Sequence, residues 1–314
     1  MESLNVAVIS PEKSRAVEFC RKIGKGGSAE DIMFYSAVRE NRIWTLMAPA
    51  AYPEKLTAAA FAMSAADYTV LLVDKLDAFA GELILLADAL ACSKGCILSP
   101  AGRAALEPLV KGTSLEGIEV VGSEDEALAG IAAYRPARPQ GTMQAAIDHC
   151  FDVKGVGVVA LGLVSRGVLK VHSRPWLFPL ERLVEVRSLQ EHDVDLKEVG
   201  AGSRFGAALK GVDAKDVERG FLLAEKKEDA AATDEIELDL AAVRFLREPV
   251  AAGSSLHAIC GLQALPCRIS GELKAGETKR VRLVLEKRAA FAKGARVVLA
   301  DLNRKPRVVA SGRV

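Results

Sequence analysis

IDHCFDVKGVGVVALGLVSRGVLKV, residues 147–171, sets β-branched runs between closely spaced glycines. VGAGSRFGAALKGVDAKDVERGFLLA, residues 199–224, repeats that texture. Glycines at such intervals permit tight turns and close strand packing, while valines suit a pleated, half-buried surface. Short strands in quick succession predict an antiparallel barrel over residues 142–224. A single helical turn is expected at DAKDVERG, with Asp213 as its cap.

Upstream, the texture changes. LNVAVIS, NRIWTLMAP, YTVLLVD, GCILS and GIEVVG read as buried strands, separated by helical stretches near 13–23, 54–66, 81–90 and 123–133. Strands alternating with helices predict a mostly parallel sheet covered on both faces over residues 1–135. RPARPQG, residues 135–141, marks the boundary through its prolines and glycine. Downstream, EKKEDAAATDE, residues 225–235, reads as a charged connector. IELDLAAVRFL, HAICGLQALPCRI, KRVRLVLEKR, ARVVLADLN and RVVASGRV then supply strands for a second barrel, residues 235–314. The expected class is α/β plus all-β: a three-layer parallel-sheet domain followed by two antiparallel barrels.

The chain holds 314 residues, 42 basic and 41 acidic, for a formal net charge of +1, and half its residues are apolar. Such a composition excludes a disordered chain. The six cysteines are dispersed, which excludes a small disulfide scaffold and suits reduced thiols in a cytoplasmic setting. Cys92 and Cys96 fall at a spacing that would share a helix face, but without histidine or acidic support they read as packing residues. MESLNVAVIS lacks the basic start and long apolar run of a signal peptide. The longest charge-free stretch of interest, residues 249–266, holds two prolines and a histidine and is a poor membrane span. No membrane or DNA partner is expected. The near-neutral total conceals an uneven distribution. The last 47 residues hold 13 basic and 4 acidic side chains, a net of +9. A basic end of this kind can steer a polyanion.

With Phe151, Gly155, Gly157, Val158, Val159, Gly162, Val164 and Gly167 in the first run and Gly202, Gly206, Leu209, Gly211, Val212, Arg219 and Gly220 in the second, the two-barrel region resembles the elongation factor Tu family. The nearest likeness is to archaeal selenocysteine-specific elongation factors and their paralogues. EPVAAGSSLHAICGLQALPCRI and FAKGARVVLADLNRKPRVVASGRV resemble the family's third domain. The resemblance implies a GTPase-like first domain, a second domain that accepts the aminoacylated end of transfer RNA and rests against the ribosome, and Arg296, Arg304, Lys305 and Arg307 as candidate RNA-backbone contacts. It leaves no room for the long C-terminal domain of several selenocysteine factors.

The first domain departs from the family pattern at three places. A phosphate loop needs glycine amides around the phosphates, a lysine and a magnesium-binding hydroxyl. VISPEKSRAVEF keeps only the remnant Lys13 and Ser14, has no glycine between Val8 and Arg15, and inserts Pro11, which has no amide hydrogen. In LMAPAAYP, Met47, Ala50 and Ala51 stand where the family has aspartate, glycine and histidine. In ILSPAGR, Ser99, Pro100 and Gly102 replace the guanine-reading Asn-Lys-x-Asp. DIMFYS, residues 31–36, reads as a remnant of the first switch. His149, His172, His192 and His257 have no serine, cysteine or acid arrangement for catalysis and read as structural.

The expected function is therefore a non-hydrolysing, translation-factor-like binder of transfer RNA, the ribosome or another translation protein, with no catalytic residue, cofactor or metal. GTP and magnesium enter only under the alternative of an active elongation factor. A protein-interaction scaffold is a further alternative.

Overall fold

β1 (Glu2–Ile9) is the central strand of a seven-stranded sheet, nearly every residue of it buried. The computed structural model describes residues 2–29 and 31–314. In chain order there follow α1 (Lys13–Ile23), β2 (Lys25–Ala29), β3 (Met33–Arg39), β4 (Arg42–Ala48), α2 (Leu56–Ser64), β5 (Tyr68–Leu72), α3 (Ala78–Ala89), β6 (Gly95–Leu98), α4 (Gly102–Val110), β7 (Glu119–Val121) and α5 (Glu124–Ala133). The strand order is β2-β3-β4-β1-β5-β6-β7. β4, β1, β5, β6 and β7 run parallel, and the antiparallel β2–β3–β4 meander forms one edge. α4 was not anticipated, because Pro108 lies inside it and proline is a poor helix-interior residue.

Two faces, two kinds of helix. α1 and α5 cover one side of the sheet, packing Phe19, Cys20 and Ile131 on Val6, Val8 and Val70. α2 and α3 cover the other, and their far sides meet the C-terminal barrel through Ile259, Leu262, Val298 and Val308. A helix wedged between two layers must be apolar nearly all round. That explains the alanine run of α2, where every residue from Ala58 to Met63 is buried. Small side chains let both neighbours approach.

Residues 144–224 form an eight-stranded antiparallel sheet around Gln144–Val153, Gly157–Arg166 and Arg204–Lys210, beside a two-stranded ribbon of Val168–Lys170 and Glu198–Gly200. Gly155 and Gly157 sit at the hairpin between the first two strands, and Gly162 pairs with Phe205 beside Gly206. Gly167 and Gly211 follow strand ends. The final segment is a closed six-stranded barrel. The α/β-plus-all-β class read from the sequence is what the chain adopts.

Three local expectations need correction. Residues 225–235 are not a connector: a 3-10 turn at Lys227–Asp229 leads into the strand Ala230–Ala242, whose exposed Asp234 and Glu235 belong to that charged stretch. Asp213 precedes a 3-10 turn at Ala214–Asp216 but gives it no side-chain cap. Cys92 lies beyond α3 and Cys96 within β6, so they share no helix face. Burial pushes both thiols up to about 11, which suits packing rather than reactivity.

Gly220 carries the contact between the middle sheet and the barrel. Its φ is +85°, and its amide donates to the Ile147 carbonyl at 2.7 Å. A Cβ there would run into Gln263 and the Leu262 carbonyl carbon, the latter at 2.8 Å. Gly253 has a similar φ of +81° with open space around it. Gly220→Ala is therefore expected to cost about 1–3 kcal/mol more than Gly253→Ala, measured as a difference in urea-unfolding midpoints. Equal costs would show that backbone strain alone matters at this turn.

Candidate functional site

Only Ser10, Pro11 and Glu12 join β1 to α1. The Glu12 amide donates to Ser10 Oγ at 3.0 Å, and Glu12 is the N-cap residue of α1, without a side-chain cap bond. Lys13 Nζ lies 2.8 Å from Glu54 Oε2. Arg15 reaches Asp74 at 3.3 Å and Glu124 at 2.5 Å. Both cations nearest the loop are thus held by carboxylates of the same chain. Ser14 is exposed.

The other two landmarks are equally occupied. Met47 is buried in the core, and the Ala51 amide donates to the Asp31 carbonyl at 3.2 Å. Lys55 Nζ meets Asp31 Oδ1 at 2.9 Å, so the DIMFYS segment is tied to the chain entering α2. Ser99 is buried, with its Oγ accepting from the Ala101 amide at 3.4 Å. Asp77 caps α3 through the amides of Phe79 and Ala80. Among the described residues, no group of three or more His, Cys, Asp or Glu side chains is placed to hold a metal ion. A guanine nucleotide with magnesium does not fit these side chains in the manner of a phosphate loop.

The four basic candidates near the C-terminus fall at different places. Arg307 spans the interface between the sheet unit and the barrel: its Nε and Nη2 donate to Glu82 Oε2 and Oε1 at 2.9 and 2.5 Å, and its Nη1 to the Glu54 carbonyl at 3.1 Å. Glu82 is only 5% exposed. Arg304 bonds the carbonyls of Glu248 and Pro249 and pairs with Asp301. Arg296 Nη1 donates to the Ala89 carbonyl at the end of α3, a favourable place for a cation. Lys305 is exposed.

Much of the +9 segment is also neutralised by acids from earlier in the chain. Arg280 pairs with Glu237 and Asp239, Arg282 with Glu235, Lys287 with Glu218, and Arg288 with Glu181. The basic end is therefore not one basic face.

A cleft of about 680 Å³ opens where all three parts of the chain meet. Lys94, Arg296 and Arg313 line it, beside Ser64, Ser93, Gln144 and Gln263. Arg296 and Arg313 are directly opposite on neighbouring barrel strands. Burial and the Arg313 charge lower the Arg296 pKa, and the Asp88 carboxylate only partly offsets them. Arg166 on the cleft wall is paired with Asp229, and Asp67 with Arg138. Like charges opposed across strands are destabilising, and an anion between them relieves that repulsion. Sequence reasoning singled out Arg296 but not Lys94 or Arg313; residues this far apart converge only through the docking of the barrel on α3.

A second cluster was also missed. Asp148, 6% exposed, faces the middle sheet's border with the first unit: His149 Nδ1 lies 3.2 Å from its Oδ2, Arg204 3.4 Å, and Arg219 Nε 3.0 Å from its Oδ1. Arg204 stacks 4.0 Å over Phe34 and Arg219 5.7 Å over Phe61. Arg219 was recognised as a motif residue. Gly202 beside this border would clash with the Arg138 guanidinium if it carried a Cβ.

No family model matches the chain. It is 27% identical over 300 residues to an uncharacterised protein of Methanocaldococcus jannaschii, covering 94% of this chain and 95% of that protein. It is 26% identical to the selenocysteine-specific elongation factor of the same organism, over 51% of this chain and 38% of that factor. Elongation factor 1-alpha of Pyrobaculum arsenaticum is 28% identical, over 56% of this chain and 39% of that factor. These two matches thus span less than half of each elongation factor. Among solved structures, elongation factor SelB of Methanococcus maripaludis in complex with a GTP analogue aligns with a TM-score of 0.83 at 19% identity, covering 100% of this chain and 79% of that one. A bacterial selenocysteine-specific elongation factor aligns at 0.76, covering 58% of its chain. The chain is homologous to selenocysteine-specific elongation factor and elongation factor 1-alpha, of the elongation factor Tu family, and adopts the SelB-like fold.

Proposed function

We propose that this elongation-factor-like protein is a cytoplasmic, non-hydrolysing binder of transfer RNA or ribosomal RNA. Residues 1–135, 142–224 and 235–314 act as its three domains in this reading. The observation that carries it is the cleft at their junction, lined by Lys94, Arg296 and Arg313, whose lining acid Asp67 is already paired with Arg138. A phosphate group of an RNA supplies the missing negative charge. The side chains at the nucleotide landmarks support the non-hydrolysing half. Lys13 and Arg15 are neutralised within the chain.

Filter binding with transfer RNA and sedimentation with ribosomes, each across a salt series, test the reading. Saturable association is expected at low salt. Lys94→Gln combined with Arg313→Gln is expected to lower the slope of log affinity against log salt by about 1–2. Arg296 is left in place because it also holds the end of α3. No association at low salt with either partner would overturn the reading.

Calorimetric titration with GTP or GDP and magnesium is expected to be flat. Saturable heat there would instead revive the active elongation factor.

A further inference from the structure

The first unit carries a groove of about 910 Å³ at the edge of its sheet, on the side of α1 and α5. β2 pairs with β3 only as far as Lys25 opposite Ser36. Beyond that point Ala37, Val38 and Arg39 remain in β3, paired with β4 on one side and, among the described residues, covered by no strand on the other. Val38 is 68% exposed. The floor is apolar, made by Ile23, Trp44 and Leu128.

The rim is basic. Arg21, Lys25 and Arg39 stand around the groove with no carboxylate partner among the described residues, and Lys22 shares Glu124 with Arg15. The groove's one acid, Glu40, is already engaged by Arg42 and Arg135. This is a local positive patch on a unit whose residues 1–135 hold 13 basic and 18 acidic side chains.

We propose that this groove receives an extended acidic peptide of a partner protein, which adds as a strand to the open edge of β3. An unpaired edge offers backbone donors and acceptors to an incoming chain, and alternate side chains of that chain give specificity. Peptide side chains on the α1 and α5 face meet Ile23, Trp44 and Leu128 together with Arg21 and Arg39, and those on the opposite face meet Lys25, which stands across from Ser36. A nucleic-acid backbone would match the rim but leave both the strand edge and the apolar floor unused.

The probe is a short fluorescein-labelled peptide of repeating Glu-Glu-Val-Val, which presents both residue types on each face of a strand, read by fluorescence anisotropy. Saturable binding is expected, with the corresponding Lys-Lys-Val-Val peptide binding at least about tenfold more weakly. Arg21→Glu with Lys25→Glu is expected to weaken the glutamate peptide about tenfold or more, with circular dichroism confirming the fold. N-methylation of alternate peptide residues separates strand addition from simple charge attraction without altering the protein. One methylated set is expected to abolish binding and the other to preserve it. Equal effects of the two sets, or equal affinity for the lysine peptide, would overturn the proposal. So would an oligouridylate that saturates the groove while the glutamate peptide does not.

Discussion

Arg307→Met is expected to loosen the barrel from the first unit at a cost of about 3–5 kcal/mol. The Glu82 carboxylate accepts from the Arg307 amide at 3.0 Å as well as from two guanidinium nitrogens. Its side chain is 6% exposed and that of Arg307 12%, so water replaces the lost guanidinium only in part. A buried charge left without its partner is far more costly than the pair is stabilising. Glu82→Leu combined with Arg307→Met, which removes both charges, is therefore expected to restore most of the loss. Multi-domain unfolding need not be two-state. The direct measurement is protease cleavage of the 135–141 segment, accelerated in the single variant and near wild type in the double. A single variant as resistant as the wild type would show that apolar packing of α2 and α3 alone holds the barrel.

The same pair shows why some of the chemistry was hidden in the sequence. Arg307 lies in the basic run NRKPR and Glu82 in the apolar helix run GELILLADAL, 225 positions apart. A charge count sees the arginine and cannot see its partner, so the arginine reads as free for RNA. The clue that was available is Glu82 itself, an acid in a helix with apolar residues all round, because such a helix is buried and a buried carboxylate needs a cation. By contrast, the strand runs were legible because they depend on local rules. LNVAVIS, YTVLLVD and GCILS are apolar on both faces, as strands covered by helices on both sides must be. The departures from the family pattern at the nucleotide landmarks are visible for the same reason, since a phosphate loop is one contiguous segment. The ion pairs at those landmarks were not legible: Glu54 beside Lys13 and Asp31 beside Lys55 come from segments whose proximity only the fold determines. The +9 end misled in a similar way. The strand Ala230–Ala242, read partly as a connector, supplies Glu235, Glu237 and Asp239 across from Arg282 and Arg280.

Asp148→Asn is expected to cost about 3 kcal/mol near pH 7, and to do so in a pH-dependent way. Burial alone would raise the Asp148 pKa, but the His149 hydrogen bond and the charges of His149, Arg204 and Arg219 outweigh it, and the carboxyl titrates below its ordinary value. Arg204 is itself lowered by burial, with Asp148 opposing that shift, so each group depends on the other. An acid whose folded pKa is depressed stabilises the protein fully above its unfolded value of about 3.9. That contribution is lost as pH falls through the folded value, when the folded carboxyl finally takes up a proton. The stability gap between wild type and Asp148→Asn should therefore be present above about pH 4 and close progressively below it. Thermal or urea unfolding at each pH measures it. The variant also removes the charge that holds Arg204 over Phe34 and Arg219 over Phe61, the two aromatic contacts by which the middle sheet grips the first unit. Loss of stability without the low-pH convergence would assign the cost to packing of the neighbouring side chains rather than to the buried carboxylate.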